Sequence, residues 1–150
     1  MVSAAMVSAA MVYASLFVTA LIAATFFPLS SEALLITLLQ QGYAPLLLGL
    51  VATSGNTLGS CINWYLGRQC LRFQNRKWFP VSAPQLALAQ RQFQRYGIYS
   101  LLFAWLPVVG DPLTLLAGVM RVKFPLFLLL VALGKALRYT LIIWLSLQWL

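Results

Sequence analysis

The sequence predicts an all-α polytopic membrane protein: an inverted repeat of a re-entrant helical hairpin plus a transmembrane helix, with an amphipathic cytoplasmic helix between the halves. Three observations predict this fold. Of the 150 residues, 62% are hydrophobic and only 8% are charged, whereas soluble domains are typically about 25% charged. Basic residues border apolar runs that are long enough to cross a bilayer. A proline-plus-acid motif also occurs twice at a fixed spacing. We expect one membrane domain over residues 1–150, divided into half one (about 11–68), a basic loop with its helix (69–96) and half two (97–150).

The repeat is defined by the only two acidic residues of the chain, Glu32 and Asp111. Each follows a proline by four positions within an apolar run, and the prolines, Pro28 and Pro107, are 79 residues apart, as are the acids. Paired proline-interrupted segments in corresponding positions indicate the binding site of a transporter built from inverted repeats. A plainer interpretation is that both carboxylates only cap helix ends at the membrane interface. The same spacing relates two glycines, Gly55 and Gly134.

The first half opens with a broken hydrophobic hairpin. Residues 11–27 are uniformly apolar but shorter than the roughly 20 residues of a full span, so we expect them to form the descending arm of a re-entrant hairpin. Pro28 interrupts the helix, and the hydroxyls of Ser30 and Ser31 are suited to satisfy the backbone groups that the break frees. Residues 33–39 then form the short returning arm.

Residues 43–66 are long enough to cross the bilayer. Gly55 and Gly59 are four positions apart, so they share a helix face and permit close backbone approach. Asn56 lies beside that face, where it can form a hydrogen bond inside the bundle. We favour helix packing for these glycines, and for the corresponding Gly134, over direct contact with a ligand. The small residues that permit a homodimer, without requiring one, are Gly49, Ala52 and Gly55.

The segment between residues 68 and 96 contains six basic residues and no acid. By the positive-inside rule this loop is cytoplasmic. Ser82 and Pro84 predict the start of an amphipathic surface helix that runs to about Tyr96. We prefer an anchoring role for this helix over a role in substrate recruitment. The six basic residues are Arg68, Arg72, Arg76, Lys77, Arg91 and Arg95.

The second half repeats the pattern in the opposite orientation. Residues 97–120 form the second hairpin, which is broken at Pro107, Gly110 and Pro112, and residues 124–147 form the last span. Because the basic loop is cytoplasmic, this hairpin opens on the cytoplasmic side and the first hairpin opens on the outside. The two hairpin tips should therefore meet near the middle of the membrane.

Two basic residues, Lys135 and Arg138, lie within the last span and share a helix face. Charges at this depth are too costly to face lipid, so we expect both to point into the bundle. With Glu32 and Asp111 they make a formally neutral set. One interpretation is a structural charge cluster, and the functional one is an anion site in which the cations bind a phosphate and a carboxylate exchanges a proton. We assign Arg68 to the same anion-binding set.

The composition leaves little for enzymatic chemistry to use. The chain has two acids and no histidine, and Cys61 and Cys70 form neither a metal-ligand pattern nor an obvious disulfide pair. General acid–base, triad and zinc mechanisms therefore lack their residues, so we expect no enzyme, no cofactor and no metal. An enzyme acting on lipid phosphates is the weakest alternative, because no nucleophile–base pair is visible. The formal net charge of +8 lies along the edges of apolar segments, which argues against a nucleic-acid partner.

These motifs resemble those of a known family. The elements that carry the likeness are FFPLSSEALL (26–35), GNTLGSCINWYLGR (55–68), FAWLPVVGDPLTLLAGVM (103–120) and LGKALRY (133–139). They are similar to the DedA family of bacterial inner-membrane proteins, which carry the SNARE-associated or VTT domain, and most similar to its YqaA-type branch. The resemblance extends from about Leu16 to the end of the chain.

The resemblance implies two facing re-entrant helices and translocation of a lipid carrier, such as undecaprenyl phosphate or a phospholipid, with dependence on the proton gradient. It implies that Glu32 and Asp111 are the membrane-embedded acids. Typical members also have two arginines around the second hairpin's proline, where this chain has Trp105 and Gly110. That difference favours an alternative, a non-transporting protein that supports envelope integrity or assembles with a partner. Lys135 and Arg138 are our candidates for replacing the missing charges.

Overall fold

The computed structural model describes residues 2–25, 30–69, 83–106 and 109–150, and within these ranges every regular element is helical. The order is α1 (Val2–Ala23), α2 (Ser30–Gln40), α3 (Pro45–Arg68), α4 (Ala83–Tyr96), a 3₁₀ helix (Gly97–Trp105), α5 (Gly110–Val119) and α6 (Phe124–Trp149). Three segments among the described residues are long and apolar enough to cross a membrane: Ala4–Ala23, Pro45–Arg68 and Phe124–Trp149. The prediction of an all-helical membrane fold is thus confirmed at this level.

Helix α1 begins at Val2, whereas the sequence prediction began the first arm at Met11. The opening residues are mostly alanine and methionine, both strong helix formers, and no proline or glycine interrupts them. A helix of 22 residues is about 33 Å long, which is enough to cross the hydrocarbon layer. The expected shortness of this arm was therefore wrong, and its re-entrant course stays a prediction.

The second arm of each hairpin is short. Helix α2 has 11 residues and α5 has 10, fewer than a span requires. The predicted breaks at Pro28 and Pro107 lie outside the described residues, as do Ser82 and most of the basic loop. Gly110 is the first residue of α5, and Pro112 lies in its first turn, where the missing N–H costs no helical hydrogen bond. Pro112 therefore belongs to the new helix and not to the break.

Glycines set the close contacts between helices. A Cβ at Gly55 would overlap the carbonyl oxygen of Phe17, so the backbones of α3 and α1 touch there. At the other end of α3, a Cβ on Gly67 would overlap the Leu115 carbonyl oxygen of α5. Gly134 faces the backbone of Leu102 in the 3₁₀ helix, with 2.8 Å between the added Cβ and the Leu102 oxygen. Gly55 and Gly134 thus lie at packing contacts, as the sequence pattern predicted, and so does Gly59, where a Cβ would overlap the Leu21 carbonyl oxygen. Gly67 was not predicted.

The contacts fix the direction of each helix. Asn56 and Asn63 of α3 bond to Ala20 and Ala24 respectively, so α1 runs parallel to α3 and ends beside Asn63, before α3 ends. The long helices α3 and α6 are antiparallel, because Gly49 meets Ile143 near one end and Trp64 stacks with Phe124 near the other.

Both ends of the first hairpin lie on one side of the molecule. Gln40, the last residue of α2, lines a cavity with Trp149 at the end of α6, which is the side on which α1 and α3 begin. Helix α5 instead ends beside Trp64 and Arg68, on the opposite side.

The two halves also have corresponding neighbours. In each half the first arm packs on the long helix of the same half, and the two long helices pack on each other. The correspondence is incomplete, because α3 packs closely on α5 whereas α2 meets α6 more sparsely. Inversion of the halves across a membrane stays a prediction that agrees with the antiparallel long helices.

Helix α4 begins at Ala83, next to the predicted start, and ends at Tyr96 as predicted. Phe93 is half-buried against Leu113 and Leu116 of α5, while Arg91 and Arg95 are exposed. This contact supports an anchoring role for the helix. The cytoplasmic position of the segment between residues 68 and 96 stays a prediction.

The small residues that suggested a homodimer are used within the chain. Ala52 is fully buried in a core cluster that joins α1, α2, α3 and α6, and Gly55 is buried against α1. Gly49 contacts Ile143 of the same chain. Ala52 and Gly55 therefore do not offer a free face, whereas Gly49 is partly exposed and lines a surface cavity. A homodimer stays a prediction.

Candidate functional site

Two basic residues lie inside the bundle near the middle of α6. The side chain of Lys135 is only 2% exposed and that of Arg138 is 7% exposed. Residues 126–133, directly before Gly134, are all leucine, phenylalanine, valine or alanine, so this part of the helix is apolar. A lipid-facing charge there would be costly, so both cations point toward other helices, as the sequence analysis predicted.

The two acids meet these cations. Arg138 Nε donates to Glu32 Oε1 at 2.6 Å, and Arg138 Nη2 pairs with the same oxygen. Lys135 Nζ lies 3.5 Å from Asp111 Oδ1. Each acid comes from the first turn of a short helix, α2 or α5, and both acids converge on α6. The first turn also favours a negative charge through the helix dipole. The carboxylates thus contact cations of another helix, which is more than the capping interpretation requires.

The four charged residues form one neutral cluster, which we call the central cluster: Glu32, Asp111, Lys135 and Arg138. Asp111 also interacts electrostatically with Arg138, so the two pairs are not independent. The carboxylates are 22% and 19% exposed at Glu32 and Asp111, whereas both cations are nearly inaccessible. A group that approaches the cluster therefore reaches the acids first and must displace them to reach the cations.

Polar side chains surround the central cluster. The hydroxyl groups of Ser31 and Tyr139 form a buried hydrogen bond of 2.9 Å between α2 and α6. The predicted role of Ser31 was to satisfy backbone groups freed by the break. In the structure its hydroxyl instead connects α2 to α6. Ser30, the first residue of α2, is exposed. Tyr139 follows Arg138 directly, and the sequence analysis did not select it.

A second polar connection runs from α1 to Asp111 through α3. Asn63 Nδ2 donates to the Ala24 carbonyl oxygen at 2.9 Å and to Thr114 Oγ1 at 3.3 Å. The Thr114 hydroxyl in turn donates to the backbone oxygen of Asp111 at 2.7 Å. Asn56 bonds inside the bundle, as expected. Asn63 and Thr114 were missed, although Asn63 follows Asn56 by seven positions and so lies on the same helix face.

Arg68 lies apart from the central cluster. It is exposed at the last position of α3, and its guanidinium carbon sits 5.0 Å from the centre of the Trp64 ring. Its backbone lies beside Gly118 near the end of α5, about 10 Å along that helix from Asp111. Grouping Arg68 with Lys135 and Arg138 was therefore wrong in space, because the structure brings only the other two cations to the acids.

A groove follows the exposed boundary between α3 and α6. It comprises two adjoining cavities of about 380 and 480 Å³ that share Thr53 and Ser54. From α6, Ala136 and Thr140 line the first cavity. The lining is mostly apolar, with a few hydroxyl groups. Within the described residues, no group of three or more His, Cys, Asp or Glu side chains is arranged to hold a metal ion.

The sequence model of the VTT domain family matches residues 1–147 of this chain. The chain belongs to the VTT domain family, also called DedA. The resemblance found in the sequence motifs is thereby confirmed, and the match also includes the residues before Leu16.

Several relatives of this VTT protein are similar over most of their length. Inner membrane protein YqaA of Escherichia coli (strain K12) is 40% identical over 125 residues, which cover 83% of both chains, and YqaA of Shigella flexneri gives the same values. An uncharacterized protein of Haemophilus influenzae is 34% identical over 142 residues, covering 87% of this chain and 85% of the relative. No solved structure matches.

Trp105 and Gly110 stand where the family resemblance places two arginines, and the structure shows the surroundings of both residues. Trp105 is half-buried at the end of the 3₁₀ helix. At Gly110 a Cβ would overlap the Ala104 carbonyl oxygen, so no larger side chain fits without a backbone shift. The cations that pair with the two acids of this VTT protein are both on α6.

Proposed function

We propose that this VTT protein couples the movement of an anionic lipid across the bacterial inner membrane to the movement of protons, the lipid being a phosphate carrier such as undecaprenyl phosphate or a phospholipid. The observation that carries the proposal is the central cluster, in which one acid from each hairpin pairs with a cation on a single buried helix face. A transporter needs such a site, one that two related halves can contact alternately.

Competition for the cations supplies the binding step. A lipid phosphate displaces the Glu32 and Asp111 carboxylates from Arg138 and Lys135, because it offers the same kind of oxygen acceptors. Arginine suits a phosphate through its planar fork of donors, and lysine acts as a point charge. In this proposal the entering phosphate meets the carboxylates first, since these are partly exposed and the cations are not.

Charge balance supplies the coupling to protons. The empty cluster is neutral, with two cations and two carboxylates. A singly charged phosphate makes it negative, and an uncompensated charge inside the bundle is costly. Protonation of one displaced carboxylate restores neutrality, so binding the lipid promotes uptake of a proton. Release of the phosphate on the other side re-forms the ion pairs and expels the proton.

The groove along α3 and α6 suits the hydrocarbon part of the lipid. Its lining residue Ala136 directly follows Lys135, and Thr140 lies two positions after Arg138. In this proposal the phosphate enters the bundle while the chains remain at this mostly apolar, lipid-facing boundary. This division avoids burying the long chains inside a protein of 150 residues.

The test is a flux assay with the purified protein in liposomes. Undecaprenyl phosphate or a phosphatidylglycerol is placed inside, and an external phosphatase or headgroup reagent reports its arrival outside, with and without a pH gradient. We expect the protein to raise the rate above that of protein-free liposomes, and a gradient to change it further. An equal rate with and without protein, for each lipid, would contradict the proposal.

A second function remains open, a non-transporting protein that supports envelope integrity or assembles with a partner. The observation that favours it is that the central cluster is already neutral without a ligand, as a structural cluster would be. The absence of arginines at Trp105 and Gly110 also favours it. Envelope defects in a deletion strain that are rescued by a transport-inactive variant would support this alternative.

A further inference from the structure

A second basic site lies at the end of α3, far from the central cluster. It is a cavity of about 530 Å³ lined by Trp64, Tyr65, Arg68, Gln69 and Arg121. Its lining includes two arginines, two aromatic residues, one amide and no acid. We call it the interfacial cavity, and neither of its arginines contributes to the proposed transport step.

The positive charge of the interfacial cavity has no side-chain counter-ion in the chain. Glu32 and Asp111 are the only acidic residues, and both are paired with cations of α6. The segment that follows the cavity in sequence, residues 70–82, contains three further basic residues and no acid. The anion that balances Arg68 and Arg121 must therefore come from outside the folded helices.

The walls of the cavity are held in place. Trp64 Nε1 donates to the Val122 carbonyl oxygen at 3.2 Å, and the Arg68 guanidinium stacks over the same indole ring. Arg121 has φ of +56°, in the left-handed region that residues other than glycine seldom adopt. Such a conformation is unfavourable for residues other than glycine and persists only where the surrounding structure enforces it. The turn thus holds the backbone of Arg121, whose exposed side chain lines the cavity.

The cavity also lies where lipid headgroups lie. Arg68 is the last residue of one candidate span, and Arg121 is three residues before the start of another. Basic residues and aromatic rings at span ends occupy the headgroup region of a bilayer. Basic pockets between transmembrane helices at this level bind anionic headgroups.

We propose that the interfacial cavity binds the phosphate group of an anionic phospholipid headgroup, with Arg68 and Arg121 donating hydrogen bonds to its oxygens. The two guanidinium groups match phosphate geometry, and the headgroup supplies the missing negative charge. Bound lipid joins the end of α3 to the turn before α6. This site does not depend on the proposed transport, since it uses none of the same residues.

The test measures binding of a short-chain fluorescent phosphatidylglycerol to the purified full chain in neutral detergent. The variant Arg68→Gln/Arg121→Gln is compared with Arg91→Gln/Arg95→Gln, which removes the same charge from exposed positions of α4. We expect affinity to fall about tenfold or more in the first variant, because charge-assisted hydrogen bonds are lost. The second variant should bind almost as the wild type does.

Three results would overturn this proposal. One is unchanged affinity in the first variant, and another is an equal loss in both variants, which would indicate a general charge effect. The third is competition by inorganic phosphate as effective as that by the lipid, which would make the ligand a free anion. If the double variant does not fold, the single variant Arg121→Lys replaces it, because it keeps the charge but loses the planar set of guanidinium donors. Its affinity for the lipid should then be lower than that of the wild type, and unchanged affinity would again overturn the proposal. Because this assay measures binding and not flux, its outcome is separate from that of the transport test.

Discussion

Asp111 and Lys135 show why the stability of the central cluster depends on pairing each buried cation with a carboxylate. The ammonium group of Lys135 is almost completely buried, and the Asp111 carboxylate is the side chain that pairs with it. Removing one partner of such a pair leaves a buried charge uncompensated, which is far more costly than removing both. Stability measurements on single and double variants can therefore detect the pair independently of any transport.

The single variant Asp111→Asn should be less stable than the wild type, by up to about 3 kcal/mol, because Lys135 loses its counter-ion. The double variant Asp111→Asn/Lys135→Met should recover most of that loss, since no buried charge remains. Thermal unfolding of the purified proteins in detergent measures both effects. A double variant no more stable than the single one would show that the pair contributes little.

The charged part of the site could be predicted from sequence because charges are rare in this chain. Glu32, Asp111, Lys135 and Arg138 stand out in apolar runs, and helical spacing gives the shared face of the two cations. The hydrogen bonds of Tyr139 and Asn63 could not be predicted, because their partners depend on how α2, α5 and α1 pack. Arg68 was misplaced because composition gives the sign of a charge and not its distance from other charges.

At the level of elements, close backbone contacts join the two halves. Gly67 of α3 and Gly118 of α5 face each other so closely that an added Cβ on either would overlap a carbonyl oxygen of the opposite helix. Glycine pairs of this kind let membrane helices approach closely and gain dispersion contacts. This contact holds α5, and with it Asp111, in register with α3.

The substitution Gly67→Ala should therefore destabilise the protein, by roughly 1 to 3 kcal/mol, because α3 must move away from rigid backbone. The matched control is Gly49→Ala on the same helix, where the new methyl group meets only the flexible end of the Ile143 side chain. Thermal unfolding of the two variants provides the comparison. Equal melting temperatures for them would mean that the α3–α5 contact is looser than described.

Element boundaries were predicted well where a proline or glycine marks them and poorly where none does. Helix α6 begins at Phe124, the predicted start, next to Pro125, and α4 begins directly after Ser82 and next to Pro84. Gly110 was predicted as part of the break and is the first residue of α5. The start of α1 was misjudged, since hydropathy alone does not reveal how far an alanine-rich helix continues. The 3₁₀ form of residues 97–105 was also beyond prediction, because runs of that length are uncommon.

For the whole molecule, the arrangement of the helices predicts which ends share a side of the membrane. The N-terminal end of α1 and the turn after α2 lie on the side where α3 begins, and α4 follows after α3 has crossed. The predicted opposite orientation of the two hairpins around one central cluster is the property that would permit alternating access.

Cysteine labelling tests this topology in a Cys61→Ser/Cys70→Ser background. We expect an impermeant maleimide to label Ala4→Cys and Gln41→Cys in intact cells, and to label Arg95→Cys only after lysis. The positive-inside rule gives the direction of this expectation. Labelling of Ala4→Cys and Gln41→Cys from opposite sides would mean that the first hairpin crosses the membrane and is not re-entrant.

The proposed coupling of lipid phosphate movement to protons depends on Glu32 and Asp111 beside the cations of α6. It is tested most directly by the flux of lipid phosphate, driven by a pH gradient, through liposomes containing the Glu32→Gln/Asp111→Asn variant. We expect at least about a tenfold loss of flux and no response to the gradient. Because this variant leaves two buried cations without counter-ions and should be less stable, its insertion and folding are verified separately in the same liposomes. Flux equal to that of the wild type, still dependent on the gradient, would contradict it.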